Sequence, residues 1–245
     1  MEKVVFITGA SSGIGNATAI KLAEAGAKVG LAARRAEKLE DLKKQIENNG
    51  GEAVVLEMDV SNPVDVNSKI AEFINVYNRI DVLFNNAGVM PVSNIDQFKT
   101  DEWNAMVDTN IKGVLNVTAA VLPHMIKQRS GHIFNTSSIA GRKVFGPGYT
   151  VYSATKFFVS AFSEGLRMEI GKKHNIRVTS IQPGAVISEL PEQTTDVNKR
   201  QEMLAYRNAI KFLDSSDIAE AVLYAASAPI HVNVAEIFIL PTEQI

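Results

Sequence analysis

The sequence predicts an α/β fold, a doubly wound parallel sheet of about seven strands in a three-layer α/β/α sandwich. Three observations carry this. Short β-branched apolar runs alternate with longer amphipathic runs along the chain. The first apolar run breaks at a glycine turn that opens onto a helical pattern. No linker, repeat or low-complexity tract interrupts the alternation, so residues 1–245 read as one domain.

Each element has a local reason. Lys3–Thr8 is a strand by its β-branched content, and Ile14–Ala25 has helical spacing closed by Gly26. Lys28–Ala33 is a second strand. Glu37–Asn48 is a helix with Leu39, Leu42 and Ile46 on one face, stopped by Asn49, Gly50 and Gly51. Ala53–Met58 is a third strand, and Pro63 opens a helix running to about Tyr77. Asp81–Phe84 is a fourth strand, followed by a long helical region from Asp101 to Gln128. Ile133–Thr136, Ile176–Ile181 and Glu236–Leu240 are further strands; Val151–Lys172 and Ser216–Ala226 are helices. The polar run Ser188–Arg200 reads as an insertion, and the segment 188–212 as a mobile substrate segment.

Composition narrows the function. A formal net charge of -2 gives no whole-protein attraction to nucleic acid or an anionic membrane. The absence of cysteine excludes disulfides, thiolate catalysis and Cys-ligated zinc. No apolar run reaches the ~18 residues of a membrane span, and the N-terminus lacks a signal peptide's apolar core of ~7–15 residues. A soluble, cytoplasmic protein is the expectation. The histidines at 124, 132, 174 and 231 lack metal-site spacing and read as surface or helix-end residues, so no metal is expected.

Thr8-Gly9-Ala10-Ser11-Ser12-Gly13-Ile14-Gly15 joins the first strand to the first helix. Gly9 permits a tight exit from the strand, Gly13 lets backbone approach a pyrophosphate, and Gly15 lets helix pack on strand. The helix N-terminus offers free N–H groups and a positive dipole end to the anion. A dinucleotide is therefore the expected ligand, with Ser11, Ser12 and Ile14 beside the glycines.

This spacing resembles that of the short-chain dehydrogenase/reductase family, and further motifs follow in family order. They are Asn85-Asn86-Ala87-Gly88, Asn110, Ser138 in Ser137-Ser138-Ile139-Ala140-Gly141, Tyr152-Ser153-Ala154-Thr155-Lys156, and Pro183-Gly184. The resemblance implies a Rossmann-like catalytic domain and a homo-oligomer, dimer or tetramer. It implies an oxidoreductase acting on a small carbonyl or alcohol, closest to 3-hydroxy acid dehydrogenases and small-ketone reductases. It marks Ser138 as the catalytic serine, three before Gly141, and Asn110 as the holder of a water that relays protons to Lys156. It further implies adenine contacts from Asp59 and Val60 and ribose contacts from Asn86 and Lys156. Ala87 and Gly88 would lie along the cofactor, and Pro183, Gly184, Val186 and Ser188 at its nicotinamide end. Asn85 is expected to fix sheet and loop backbone.

Tyr152 and Lys156 lie four apart on a predicted helix and so share a face. Reducing a ketone needs a proton donor at the carbonyl oxygen, and a lysine cation is expected to draw the phenol's pKa down toward working pH. Tyr149 has Ser153 at its i+4 position and lacks such a cation. Cofactor choice is read at the end of the second strand. Ala33 stands where an NAD site places an acid, and Arg34 and Arg35 follow. Guanidinium forks suit a 2′-phosphate, so NADP is expected. Candidate substrate-pocket residues are Met90, Ile139, Arg142, Val144, Phe145, Glu189 and Leu190, with Arg142 a partner for a substrate carboxylate or a solvated arginine. Two other classes stand as alternatives: a cofactor-binding regulator without turnover, and an epimerase or dehydratase on the same scaffold.

Overall fold

The computed structural model describes residues 2–244. Met1 and Ile245, the ends of the expected 1–245 span, lie outside the described residues. The strands are β1 (Val4–Thr8), β2 (Lys28–Ala33), β3 (Glu52–Glu57), β4 (Val82–Asn85), β5 (Gly131–Thr136), β6 (Ile176–Pro183) and β7 (Glu236–Ile239). The α-helices are α1 (Gly13–Glu24), α2 (Ala36–Asn48), α3 (Pro63–Tyr77), α4 (Thr100–Val107), α5 (Gly113–Gln128), α6 (Thr150–His174), α7 (Val197–Ala209) and α8 (Ser215–Ser227).

The strands form one seven-stranded parallel sheet in the order β3-β2-β1-β4-β5-β6-β7. Alternate side chains of β1 feed opposite layers. Val5 and Ile7 join Leu22, Leu39, Leu42, Ile218 and Val222 from α1, α2 and α8. Val4 and Phe6 join Ile70, Phe73, Val117, Val121 and Ile170 from α3, α5 and α6. Gly30 in β2 makes room for Phe73, since a Cβ there would sit 2.5 Å from the ring. Burying that phenylalanine is worth ~1.5–3 kcal/mol. The strand order reverses between β1 and β4, which opens a crevice at their carboxyl ends.

Three expectations are corrected. The helix expected over Asp101–Gln128 is interrupted by a π-helical turn at Asp108–Lys112, where the Gly113 N–H donates to the Asp108 carbonyl. Gly113 packs so closely on Val60 that a Cβ would meet its side chain at 2.6 Å. The run expected to be an insertion is ordered as a short 3-10 turn, Leu190–Gln193, and then α7. Helix α7 buries none of its residues fully, so it carries no apolar stripe to reveal it. Its start is held by the Asp196 side chain, which accepts from the Asn198 and Lys199 N–H groups and from Gln97 Nε2 at 2.6 Å. Finally, His132 lies buried in β5, with Nε2 2.7 Å from the Thr179 hydroxyl, where burial pushes the imidazole well below its usual range. Among the described residues, no helix is long and apolar enough to cross a membrane.

Candidate active site

The carboxyl ends of β1, β2, β4, β5 and β6 border one cleft of about 540 Å³. Every catalytic and cofactor-binding residue expected from the sequence lines it except Gly15 and Asn110.

At one end the backbone is packed without space for side chains. Gly9 has φ +67°, and a Cβ there would lie 2.8 Å from Ala87 Cα. A Cβ on Gly15 would land against the Gly9 carbonyl. Gly13, at φ +56°, faces open space, its nearest neighbour being the Ser215 hydroxyl at 3.9 Å. The Ser12 N-cap makes no side-chain capping bond, and no acidic residue sits in the first turn of α1. The free N–H groups of α1 therefore point at a cradle fitted to an anion.

Neighbouring strands pin this loop. The Thr8 hydroxyl donates to the Phe84 carbonyl and accepts the Asn86 and Ala87 N–H groups at 3.0 and 3.1 Å. Asn86 Nδ2 donates to the Thr8 and Gly9 carbonyls. Asn86 thus fixes the loop backbone that Asn85 was expected to fix. Asn85 instead ties β4 inward, donating to Thr118 and Asn135.

Arg34 and Arg35 separate at the end of β2. Arg35 donates to the Ser11 and Ser12 hydroxyls, at 2.9 and 2.8 Å, and to Glu189 at 2.8 Å. Lys38 also reaches Glu189, at 2.9 Å, and the two cations hold that carboxyl down at about 2. Glu189, expected in the substrate pocket, is therefore an anion at the arginine end. Arg34 is exposed and makes no side-chain hydrogen bond or ion pair among the described residues.

The reacting groups gather between β5 and α6. Gly141 brings the serine turn onto α6, because a Cβ there would sit 2.6 Å from the Lys156 carbonyl. Ser137 is consumed in that seam, bonding the Lys156 carbonyl and the Ser160 hydroxyl. Ser138 caps the short turn Ile139–Gly141, its hydroxyl accepting the Ala140 N–H at 3.1 Å. It lines the cleft with Tyr152, where its hydroxyl favours the phenolate. Burial nonetheless dominates and pushes the phenol up to about 12, with Tyr149 adding in the same direction. This is opposite to the direction expected from a lysine cation alone. Lys156 Nζ stands 5.7 Å from the Tyr152 ring centroid and donates to the Thr136 carbonyl at 2.8 Å. Burial pulls the ammonium down to about 8.

Asn110 sits in the π turn, 1% exposed. Its amide bonds both the N–H and the carbonyl of Val89 at 2.9 Å, and it donates to the Thr155 hydroxyl. Gly88 lies between this group and Lys156. A Cβ on Gly88 would meet Asn110 Oδ1 at 3.4 Å and Lys156 Nζ at 3.7 Å.

At the far side, Val186 bridges to Leu213, and the Ser188 hydroxyl accepts the Leu190 N–H. The C-terminal Gln244 accepts the Ala185 N–H at 2.8 Å and lines the cleft. Of the expected pocket residues, Met90, Ile139, Phe145 and Leu190 line the cleft; Arg142 and Val144 do not. Arg142 instead donates to Gln182 and Glu236. Met203, Tyr206 and Phe212 were not singled out by the sequence, although they fall in the segment 188–212 that it assigns to substrate; the roles of Thr8 and Gln244 were not marked. Among the described residues, no cluster of three or more His, Asp or Glu could hold a metal.

Comparison with known proteins places this geometry. A short chain dehydrogenase family model matches residues 3–199. An uncharacterized oxidoreductase of Listeria monocytogenes is 49% identical, covering 99% of this chain and 98% of its own. The closed form of a serine dehydrogenase complexed with NADP+ superposes with a TM-score of 0.90 at 33% identity, covering 99% of this chain and 96% of its own. An alcohol dehydrogenase from the archaeon Thermococcus sibiricus, complexed with 5-hydroxy-NADP, gives 0.87 at 26% identity, covering 100% and 99%. The chain belongs to the short chain dehydrogenase family of oxidoreductases.

Proposed function

We propose that this protein interconverts a secondary alcohol and a ketone with NADP(H), using Tyr152 as acid and base. The observation that carries the reading is the meeting of the Tyr152 phenol, the Ser138 hydroxyl and the Lys156 ammonium beside one glycine-built anion cradle. Gly9, Ser11, Ser12, Gly13, Ile14 and Gly15 would hold the pyrophosphate at the start of α1. Arg34, open to solvent, and Arg35 would take the 2′-phosphate. Asp59 and Val60 would border the adenine; Asn86, Ala87, Gly88 and Lys156 the ribose side; Pro183, Gly184, Val186 and Ser188 the nicotinamide end. NADPH, when bound, supplies a hydride to the carbonyl carbon.

The side chains do the rest. Ser138 orients the carbonyl oxygen, and Tyr152 gives it a proton. Burial keeps the phenol protonated across the neutral range, which is the form reduction needs. Lys156 is cationic below about 8 and stabilises the phenolate left behind. In alcohol oxidation the phenolate takes the proton back. Asn110, fixed by the Val89 backbone and the Thr155 hydroxyl, would hold the water that relays a proton through Lys156 back to Tyr152. Residues 1–245 act as one catalytic domain in a cytoplasmic homo-oligomer, dimer or tetramer, with the segment 188–212 moving over substrate.

The test is NADPH oxidation with small neutral ketones and 3-oxo acids. Rates with NADPH should exceed those with NADH by at least about tenfold. Equal rates with both cofactors would remove Arg34 and Arg35 from the account.

A further inference from the structure

We infer that the cleft takes an uncharged ketone or secondary alcohol bearing an aromatic or similarly bulky apolar group, seated against Phe145, Tyr149, Tyr206 and Phe212. This rests on the reading that Tyr152 reacts at a carbonyl. Tyr149 caps the start of α6, three residues before Tyr152, and packs with it in a small apolar cluster. From there the rings form a chain along the cleft. Phe145 meets Tyr149 at 5.6 Å between centroids and Tyr206 at 6.5 Å, and Tyr206 meets Phe212 at 5.6 Å. All four line the cleft, with Met90 and Met203 beside them. Phe145 and Tyr206 remain 36% and 37% exposed, so ring surface is left uncovered where substrate would lie.

The charges exclude the other class. The cations lining the cleft are Arg34, Arg35 and Lys156. The arginines stand at the end of β2, and Arg35 is already bound to Ser11, Ser12 and Glu189. Lys156 is held by the Thr136 carbonyl. Arg142, the cation the sequence offers to a carboxylate, turns away to Gln182 at 2.7 Å and Glu236 at 3.1 Å, with its guanidinium 4.9 Å from the Phe238 centroid. The acidic residue Glu192 also lines the cleft, next in the chain to Gln193, whose amide oxygen accepts the Met90 N–H. A 3-oxo acid or an amino acid would bring its carboxylate to a ring-lined site where, among the described residues, the cleft offers no cation beyond the two arginines and Lys156, each with a role of its own.

The experiment compares kcat/KM for acetophenone, its para-carboxylate, butanone and acetoacetate with NADPH. Acetophenone should exceed both carboxylates by at least about tenfold, the equivalent of about 1.4 kcal/mol. Tyr206→Ala should lower the acetophenone-to-butanone ratio at least about fivefold, chiefly through KM, while Tyr206→Phe preserves it. A carboxylate reduced as well as acetophenone would overturn the inference, as would a Tyr206→Ala variant that loses all four activities equally. If NADPH binds but no carbonyl is reduced, the proposed function fails first. Calorimetric binding of phenylethanol and hydroxybutyrate to the NADP+ complex then decides the substrate class. Tighter phenylethanol supports the inference; tighter hydroxybutyrate overturns it.

Discussion

At the glycine loop, backbone packs on backbone. At the aromatic end, Phe145, packed on Tyr149 ahead of α6, faces Tyr206 of α7, a helix that buries none of its own residues fully. The first arrangement holds one shape because no atom can be added. Gly9 and Gly15 sit where a Cβ would strike Ala87 or the Gly9 carbonyl. The second is tied by side-chain hydrogen bonds rather than by backbone packed on backbone, among them Gln97 with Asp196 and Gln193 with the Met90 N–H. One end suits a ligand that is always the same, and the other a substrate that must enter and leave.

The sharpest way to break this contrast is Gly15→Ala. The added methyl must displace the Gly9 backbone, so NADPH affinity should fall about a hundredfold, read by fluorescence titration. Retained affinity would show that the loop is not rigid. The pH dependence of the reducing reaction comes next. Lys156 is lowered to about 8 and Tyr152 raised to about 12, so below about 8 the lysine is cationic and the phenol protonated. Carbonyl reduction should be level there and fall as pH rises through about 8, approaching tenfold per unit as the cation is lost. A rate rising through that range would contradict the assignment. The smallest effect concerns motion. Amides of Val197–Ala209 should open at least about 1 kcal/mol more easily than those of Gly13–Glu24, giving about fivefold faster hydrogen exchange. Equal protection would mean that α7 is not a moving cover.

The same contrast governs what the sequence could tell. The glycine loop, the Tyr152–Lys156 pair and Ser138 are short-range patterns at strand ends, and the fold gathers them on one cleft. The strand–helix alternation yielded all seven strands because each carries its own apolar run. Helix α7 was hard to read because none of its residues is fully buried; its start is held by the Asp196 cap, and Tyr206 packs on Phe145 and Phe212, which precede and follow the helix in the chain. Asn110 could be located but its bonds could not, since they reach Val89 across the loop after β4. Arg142 stands exposed, as the solvated alternative had it, and its bonds to Gln182 and Glu236 could not be read because those residues lie far along the chain. His132 looked like a surface residue because a single polar side chain in a strand leaves no periodic mark; its partner Thr179 lies on β6.

The central claim is that Tyr152 moves the proton at the substrate oxygen. Its most direct test is Tyr152→Phe, with NADPH binding and ketone turnover measured on the same preparation. The phenyl ring keeps the packing of the cleft and removes only the hydroxyl. The account predicts NADPH affinity within about twofold of the unaltered protein and turnover reduced by about a thousandfold or more. Turnover near that of the unaltered protein, with the cofactor still bound, would contradict it.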